Sequence, residues 1–193
     1  DNHSLFAHWT ANQYTISYNL EGGTSEGNLP NTGTYNKYLL ISNPSKTGYT
    51  FAGWDSSYKL GLGDDAKTGK TANPTTTWKG EKTKNTYFKN LRDTSGTVTL
   101  NANWSPITYT VSYNGETKTC TYNYDCVILN PSKTGYTFTG WTSNSSSGLG
   151  SNAKTGTTTN PTTKWTGSST KNTYFKNLRD TSGTVTLSDN WSI

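Results

Sequence analysis

Lys84–Leu100 reads KNTYFKNLRDTSGTVTL, and the same run returns unchanged at Lys171–Leu187. Its end decides the fold. Val98, Leu100, Ala102 and Trp104 alternate with Thr99, Asn101 and Asn103. Period-two alternation of apolar and polar residues predicts a strand with one face on a core. Working outward, Tyr14, Ile16 and Tyr18 alternate in the same way with Thr15 and Ser17. Tyr49–Trp54 (YTFAGW) is a third strand candidate, with Gly53 pointing to a bulge or a close approach. Tyr35–Ile41 and Thr86–Leu91 are weaker candidates, and Asp93-Thr94-Ser95-Gly96 is a turn feeding the last strand. No stretch has the pattern of a long amphipathic helix.

The duplication is wider than this run. Residues 43–104 align with 130–191 at 46 of 62 positions. Tyr14–Asn19 (YTISYN) likewise aligns with Tyr109–Asn114 (YTVSYN), at an offset larger by eight. The second copy therefore lacks eight residues between its first strand and its NPSKTGY segment, the length change expected of a surface loop. Leu5–Thr10 (LFAHWT) aligns with Leu100–Ser105 (LNANWS) and predicts the last strand of a preceding repeat. The expected organisation is residues 1–10 as that strand, 11–105 as the first module and 106–193 as the second. The joint Ser105–Thr108 contains Pro106 and is short enough to limit bending. On the core face of the last strand Asp189 replaces Ala102. A buried unpaired carboxylate is costly, so Asp189 is expected near a strand end or a sheet edge.

Leu, Ile, Val and Phe make up only 27 of 193 residues, about 14%. A fraction under roughly 20% is a disorder signal when the net charge is also high. Here the net charge is +5 and there are 25 aromatic residues. Each aromatic side chain buries roughly 150–250 Å², so aromatics can build the core that aliphatics do not. Thr, with 38 residues, favours strands as the aromatics do. No apolar run approaches the roughly 20 residues of a membrane-spanning helix. The absence of Met and of a leader-like start suggests an interior piece of a longer chain. Asp55–Lys84 and its copy are polar, and loops of that length in a small unit are functional or flexible.

YTISYNLEGG (Tyr14–Gly23), NPSKTGYTFAGW (Asn43–Trp54) and GTVTLNANW (Gly96–Trp104) occur in fixed order. They return as YTVSYN, NPSKTGYTFTGW and GTVTLSDNW. This pattern resembles the Listeria–Bacteroides repeat, the B-repeat of internalin-type surface proteins, over nearly the whole of both copies. The resemblance implies tandem β-grasp-like modules in the extracellular part of a bacterial surface protein, serving as spacers, with adhesion or host signalling proposed for some. The expected fold class is thus β-dominated, α+β at most, with mixed sheets and long polar loops. This sequence departs from the pattern where the second copy loses LEGG, and in the long insertions carrying Trp78 and Trp165.

The chemistry is sparse. His3 and His8 are the only histidines and both precede the first complete repeat. A Ser-His-Asp or Cys-His site within either repeat is therefore excluded. Asp64-Asp65 is replaced by Ser151-Asn152 in the second copy and reads as a solvated loop, short of the ligands calcium needs. No catalytic, metal or cofactor residue is assigned. Cys120 and Cys126 have neither zinc nor redox spacing. They are expected to form a disulfide across a tight hairpin around Asn123. The positive charge divides evenly, +3 in each repeat, without a basic run, so no nucleic-acid stripe is expected. Trp78 and Trp165 have two readings: plugs that fold the insertion onto the sheet, or exposed platforms for a sugar or protein partner.

The function expected is a non-catalytic stalk or spacer on the bacterial surface with adhesive contacts, its partners being neighbouring repeats and a host protein or glycan. The alternatives are a glycan- or protein-binding module using the Trp-containing insertions, and a subunit of a self-assembling appendage in which Leu5–Thr10 adds to another chain's sheet edge.

Overall fold

The computed structural model describes residues 3–58, 62–63, 74–75, 77–78, 85–145, 149–150, 161–162, 164–166 and 172–193. For the short pieces within 62–78 and 149–166 the backbone alone is described. All regular elements among the described residues are strands. They fall into two compact units, Asp1–Lys46 with Phe51–Trp104, and Thr47–Thr50 with Ser105–Ile193.

In the first unit the strands are β1 (Gln13–Asn19), β2 (Thr32–Thr34), β3 (Tyr38–Ser42), β4 (Tyr49–Ser56), β5 (Leu62–Gly63), β6 (Pro74–Thr75), β7 (Thr77–Trp78), β8 (Asn85–Lys89) and β9 (Thr97–Pro106). The main sheet has the order β2-β1-β9-β4-β7, with β1 and β9 parallel at its centre. Alternation works as predicted: Tyr14 and Ile16 on β1 and Val98, Leu100 and Ala102 on β9 are all buried. The weaker candidates pair with each other, β3 with β8, so that Ile41 and Phe88 join the same core. This mixed sheet, covered on one face by a two-stranded sheet, is the β-grasp-like arrangement without a helix among the described residues.

The second unit repeats the plan. Its strands are β10 (Thr108–Tyr113), β11 (Glu116–Thr121), β12 (Cys126–Leu129), β13 (Thr137–Ser143), β14 (Leu149–Gly150), β15 (Pro161–Thr162), β16 (Lys164–Thr166), β17 (Asn172–Phe175) and β18 (Thr184–Ser192). The main sheet is β11-β10-β18-β13-β16, again with a parallel central pair, and β12 pairs with β17. Gly140, the counterpart of Gly53, has φ 125° where the β13/β18 register shifts. An L-residue avoids that backbone conformation, so the bulge needs glycine.

Aromatics and aliphatics share each core: four aromatics are buried in each unit, beside Ile41, Leu91, Val98 and Leu100 in the first and Ile128, Leu178, Val185 and Leu187 in the second. In the first unit Tyr18, Trp54, Phe51 and Trp104 form a chain of edge-to-face rings with centroids 5.9, 5.2 and 5.6 Å apart. Tyr113, Trp141, Phe138 and Trp191 repeat it at 6.3, 5.3 and 5.7 Å. Each such pair contributes about 0.5–1.5 kcal/mol beyond the area it buries.

Two local expectations change and one narrows. Leu5–Thr10 forms no strand, and Leu5, Phe6 and Trp9 are almost wholly exposed. In a strand the same pattern buries its apolar residues only because β1 and β4 flank it, and Leu5–Thr10 has no such neighbours among the described residues. Asp189 lies on central β18, so it is not at a sheet edge, but it falls within that strand's last four residues, the strand-end alternative. It sits beyond Leu187, the last residue paired with β10, and is half-buried. The Cys120–Cys126 segment is not a hairpin: β11 belongs to the main sheet and β12 to the small one.

Candidate functional site

Several side chains of the repeated motifs face inward, and the Asn of NPSKTGY shows what they do there. Asn43 Oδ1 accepts from the Trp54 indole N–H at 3.3 Å and from the Thr86 hydroxyl at 2.7 Å. Asn130 accepts from Trp141 and Thr173 at 3.2 and 2.6 Å. Both tryptophans and both threonines are buried. One amide oxygen thus ties β4 to β8, and another ties β13 to β17, across the layers of each unit. A buried donor without an acceptor costs about 1–3 kcal/mol, so this residue is a structural requirement of the motif.

The DTSG turn has a similar internal use. Arg92 donates to the Thr94, Ser95 and Thr97 carbonyls at 3.4, 3.0 and 3.1 Å. Arg179 makes the equivalent bonds to Thr181, Ser182 and Thr184. The guanidinium fork holds the loop that launches the last strand. In the first unit alone, Tyr58 stacks under Arg92 and donates to Asp93 at 2.7 Å.

Cys120 and Cys126 are bonded, with Cα atoms 5.5 Å apart. The bridge joins the edge of the main sheet to the small sheet. In the first unit the aligned positions are Gly33 and Leu39. Gly33 has the Tyr14 ring lying over it, where any side chain would collide. In the second unit Tyr109 instead faces Cys120 across the strand pair.

The insertions rejoin their sheets at the two tryptophans. The β4/β7 register sets Trp78 opposite Trp54, and β13/β16 sets Trp165 opposite Trp141. The side chains of Trp78 and Trp165, and most of both insertions with Asp64-Asp65, lie outside the described residues. His3 and His8 are exposed and outside any strand. Among the described residues no three of His, Cys, Asp and Glu gather to hold a metal ion, and no helix is long and apolar enough to cross a membrane.

The model of the Listeria-Bacteroides repeat domain matches residues 14–77 and 106–173. The chain belongs to the Listeria-Bacteroides repeat family. It holds two of these repeats in tandem, and the family is associated with bacterial surface proteins. No solved structure matches the chain. Within the repeats, the tyrosines of the YTxSYN motif are spent on the core. The hydroxyls of Tyr14 and Tyr109 are buried with no partner meeting hydrogen-bond geometry. Burial raises their pKa, opposed in a minor way by the Leu91 and Leu178 backbones, which lie close enough to act electrostatically.

One surface feature of the second repeat was not anticipated from its residues. A groove of about 730 Å³ runs between Leu129, Lys133, Tyr136, Phe138 and Trp191. Leu129 and Tyr136 are 57% and 42% exposed. The signal that marks the place is the eight-residue deletion.

Proposed function

We propose that the two repeats form a non-catalytic, semi-rigid spacer in the extracellular part of a bacterial cell-surface protein. The observation that carries this reading is the internal use of the family motifs. Asn43, Trp54 and Thr86, with their counterparts Asn130, Trp141 and Thr173, are engaged with each other inside two separate cores. A sequence that repeats its packing residues and varies its loops encodes a building unit. Neither repeat contains a histidine. The disulfide supports an oxidising compartment outside the cytosol.

Spin labels test the spacer. Tyr87 and Tyr174 are exposed, one in each repeat, and both native cysteines are bonded. Labels at Tyr87→Cys and Tyr174→Cys should give one interspin peak as narrow as a pair placed within a single repeat. A broad distribution of the kind a flexible linker produces would overturn the spacer reading.

A further inference from the structure

The two repeats differ most where the first one fills a groove with its own chain. In the first repeat the Trp104 indole N–H donates to the Leu20 carbonyl at 3.0 Å. Thr24 and Ser45 exchange two backbone hydrogen bonds, both 2.8 Å. The Lys46 ammonium donates to the Glu21 carbonyl at 2.7 Å. Gly22 has φ 78°, and a side chain on Gly23 would run into the Trp104 ring. Leu20 packs on the core beside Trp104. The Leu20–Thr24 segment is therefore a strap held through its backbone, with one apolar anchor and two glycines that let it lie against the indole.

The second repeat keeps the receiving groups and lacks the strap. Between β10 and β11 only Asn114 and Gly115 remain, with φ 48° and 80°. Trp191 sits against Phe138 at 5.7 Å, as Trp104 sits against Phe51 at 5.6 Å. No described residue accepts from its indole N–H. Ser132, exposed like its counterpart Ser45, makes no bridge among the described residues. The Lys133 ammonium, the counterpart of Lys46, lies over the Tyr136 ring at 4.1 Å. The residue aligned with Ser42 is Leu129, which adds apolar surface at the same place. The pocket left at this position in the first repeat is smaller, about 500 Å³, and is lined partly by the strap's own continuation, Thr24, Glu26 and Gly27.

We propose that this groove binds an extended peptide of the Leu-acid-Gly-Gly-Thr type, supplied by another polypeptide, in the way the first repeat holds its own Leu20–Thr24. The peptide carbonyls accept from Trp191 Nε1 and Lys133 Nζ, and its Thr backbone pairs with Ser132. Its leucine covers the apolar wall formed with Leu129. Such strand-like capture takes affinity from the main chain and specificity from the side-chain seats. The adjacent glycines are the selectivity element: in the first repeat a methyl group on Gly23 meets the indole, and Gly22 holds a positive φ that other residues avoid.

The test uses the full chain and the synthetic heptapeptide Asn-Leu-Glu-Gly-Gly-Thr-Ser. Titration is followed by calorimetry and by the indole N–H resonances. Saturable binding with a dissociation constant below about 1 mM is expected, with the Trp191 resonance moving and that of Trp104 still. Replacing both peptide glycines by alanine should weaken binding at least tenfold. Grafting Leu20–Gly27 between Asn114 and Gly115 should close the groove, abolish binding and leave a well-dispersed spectrum. No shift at several times that concentration overturns the proposal. So does equal binding of the di-alanine peptide, or a Trp191 response to oligosaccharides in place of the peptide, which would make the groove a glycan site. The interspin distance test of the spacer is independent of each of these outcomes.

Discussion

Asn130→Ala should cost the second repeat at least about 2 kcal/mol. The substitution removes one oxygen that two groups share, the Trp141 indole N–H at 3.2 Å and the Thr173 hydroxyl at 2.6 Å. Both residues have zero exposed surface, so water cannot replace the acceptor without opening the core. Each stranded donor costs about 1–3 kcal/mol. For a unit of this size, 1 kcal/mol corresponds to roughly 4–8 °C in Tm, so the loss is about 8–16 °C. Asn130→Asp keeps an acceptor at the same place and should recover part of it. Hydrogen exchange read by mass spectrometry assigns the loss: Asn130→Ala should deprotect β12, β13 and β17 and spare β3, β4 and β8, with Asn43→Ala giving the mirror image. A Tm change under about 2 °C, or equal deprotection of both repeats, would refute the shared-acceptor reasoning.

Reduction of Cys120–Cys126 should destabilise the second repeat alone, by about 2.4 kcal/mol for a loop of seven residues in the chain-entropy account; denaturant titration with and without reductant measures it. Alkaline pH should weaken both repeats. Burial raises the pKa of Tyr14, Tyr18 and Tyr109 above the ordinary 10.0, with the Tyr14 phenol adding to the rise at Tyr18. The unfolded chain then loses these protons first, so their contribution is intact below pH 10 and lost as pH climbs through the folded values. A Tm series from pH 8 to 12 with tyrosinate absorbance checks the coincidence. Arg179→Lys keeps the charge but not the fork across three carbonyls, and should cost the second repeat about 1 kcal/mol by thermal unfolding.

Much of this fold was legible because the side chains alternate strictly where one strand face is buried. Tyr14/Ile16 and Val98/Leu100/Ala102 mark β1 and β9 by their alternation alone. Their parallel pairing was not readable, since nothing local in either strand names its neighbour. The Cys120–Cys126 spacing was compatible with a bond, but it suggested a hairpin where the chain crosses from one sheet to the other. The actual hairpin is at Asn114-Gly115, both residues with positive φ. That dipeptide is the strongest short-range signal for a two-residue turn. It stands where the first repeat carries eight more residues. The role of Asn43 and Asn130 could not have been read, because Thr86 and Thr173 lie 43 residues away from them. The groove at Trp191 is legible only by comparing the repeats, since it consists of an absent strap.

Pulling the full chain from its ends tests the central claim that each repeat is a self-contained unit bearing load in series. The strands of the first repeat span Gln13–Pro106 and those of the second Thr108–Ser192, with Cys120–Cys126 locked by the disulfide. At about 3.3 Å per residue these release roughly 31 and 26 nm, less the folded end-to-end distances. Single-molecule force extension should therefore show two separate unfolding events, the shorter one lengthening by about 2 nm after reduction. A single event releasing the whole length at once would contradict the account.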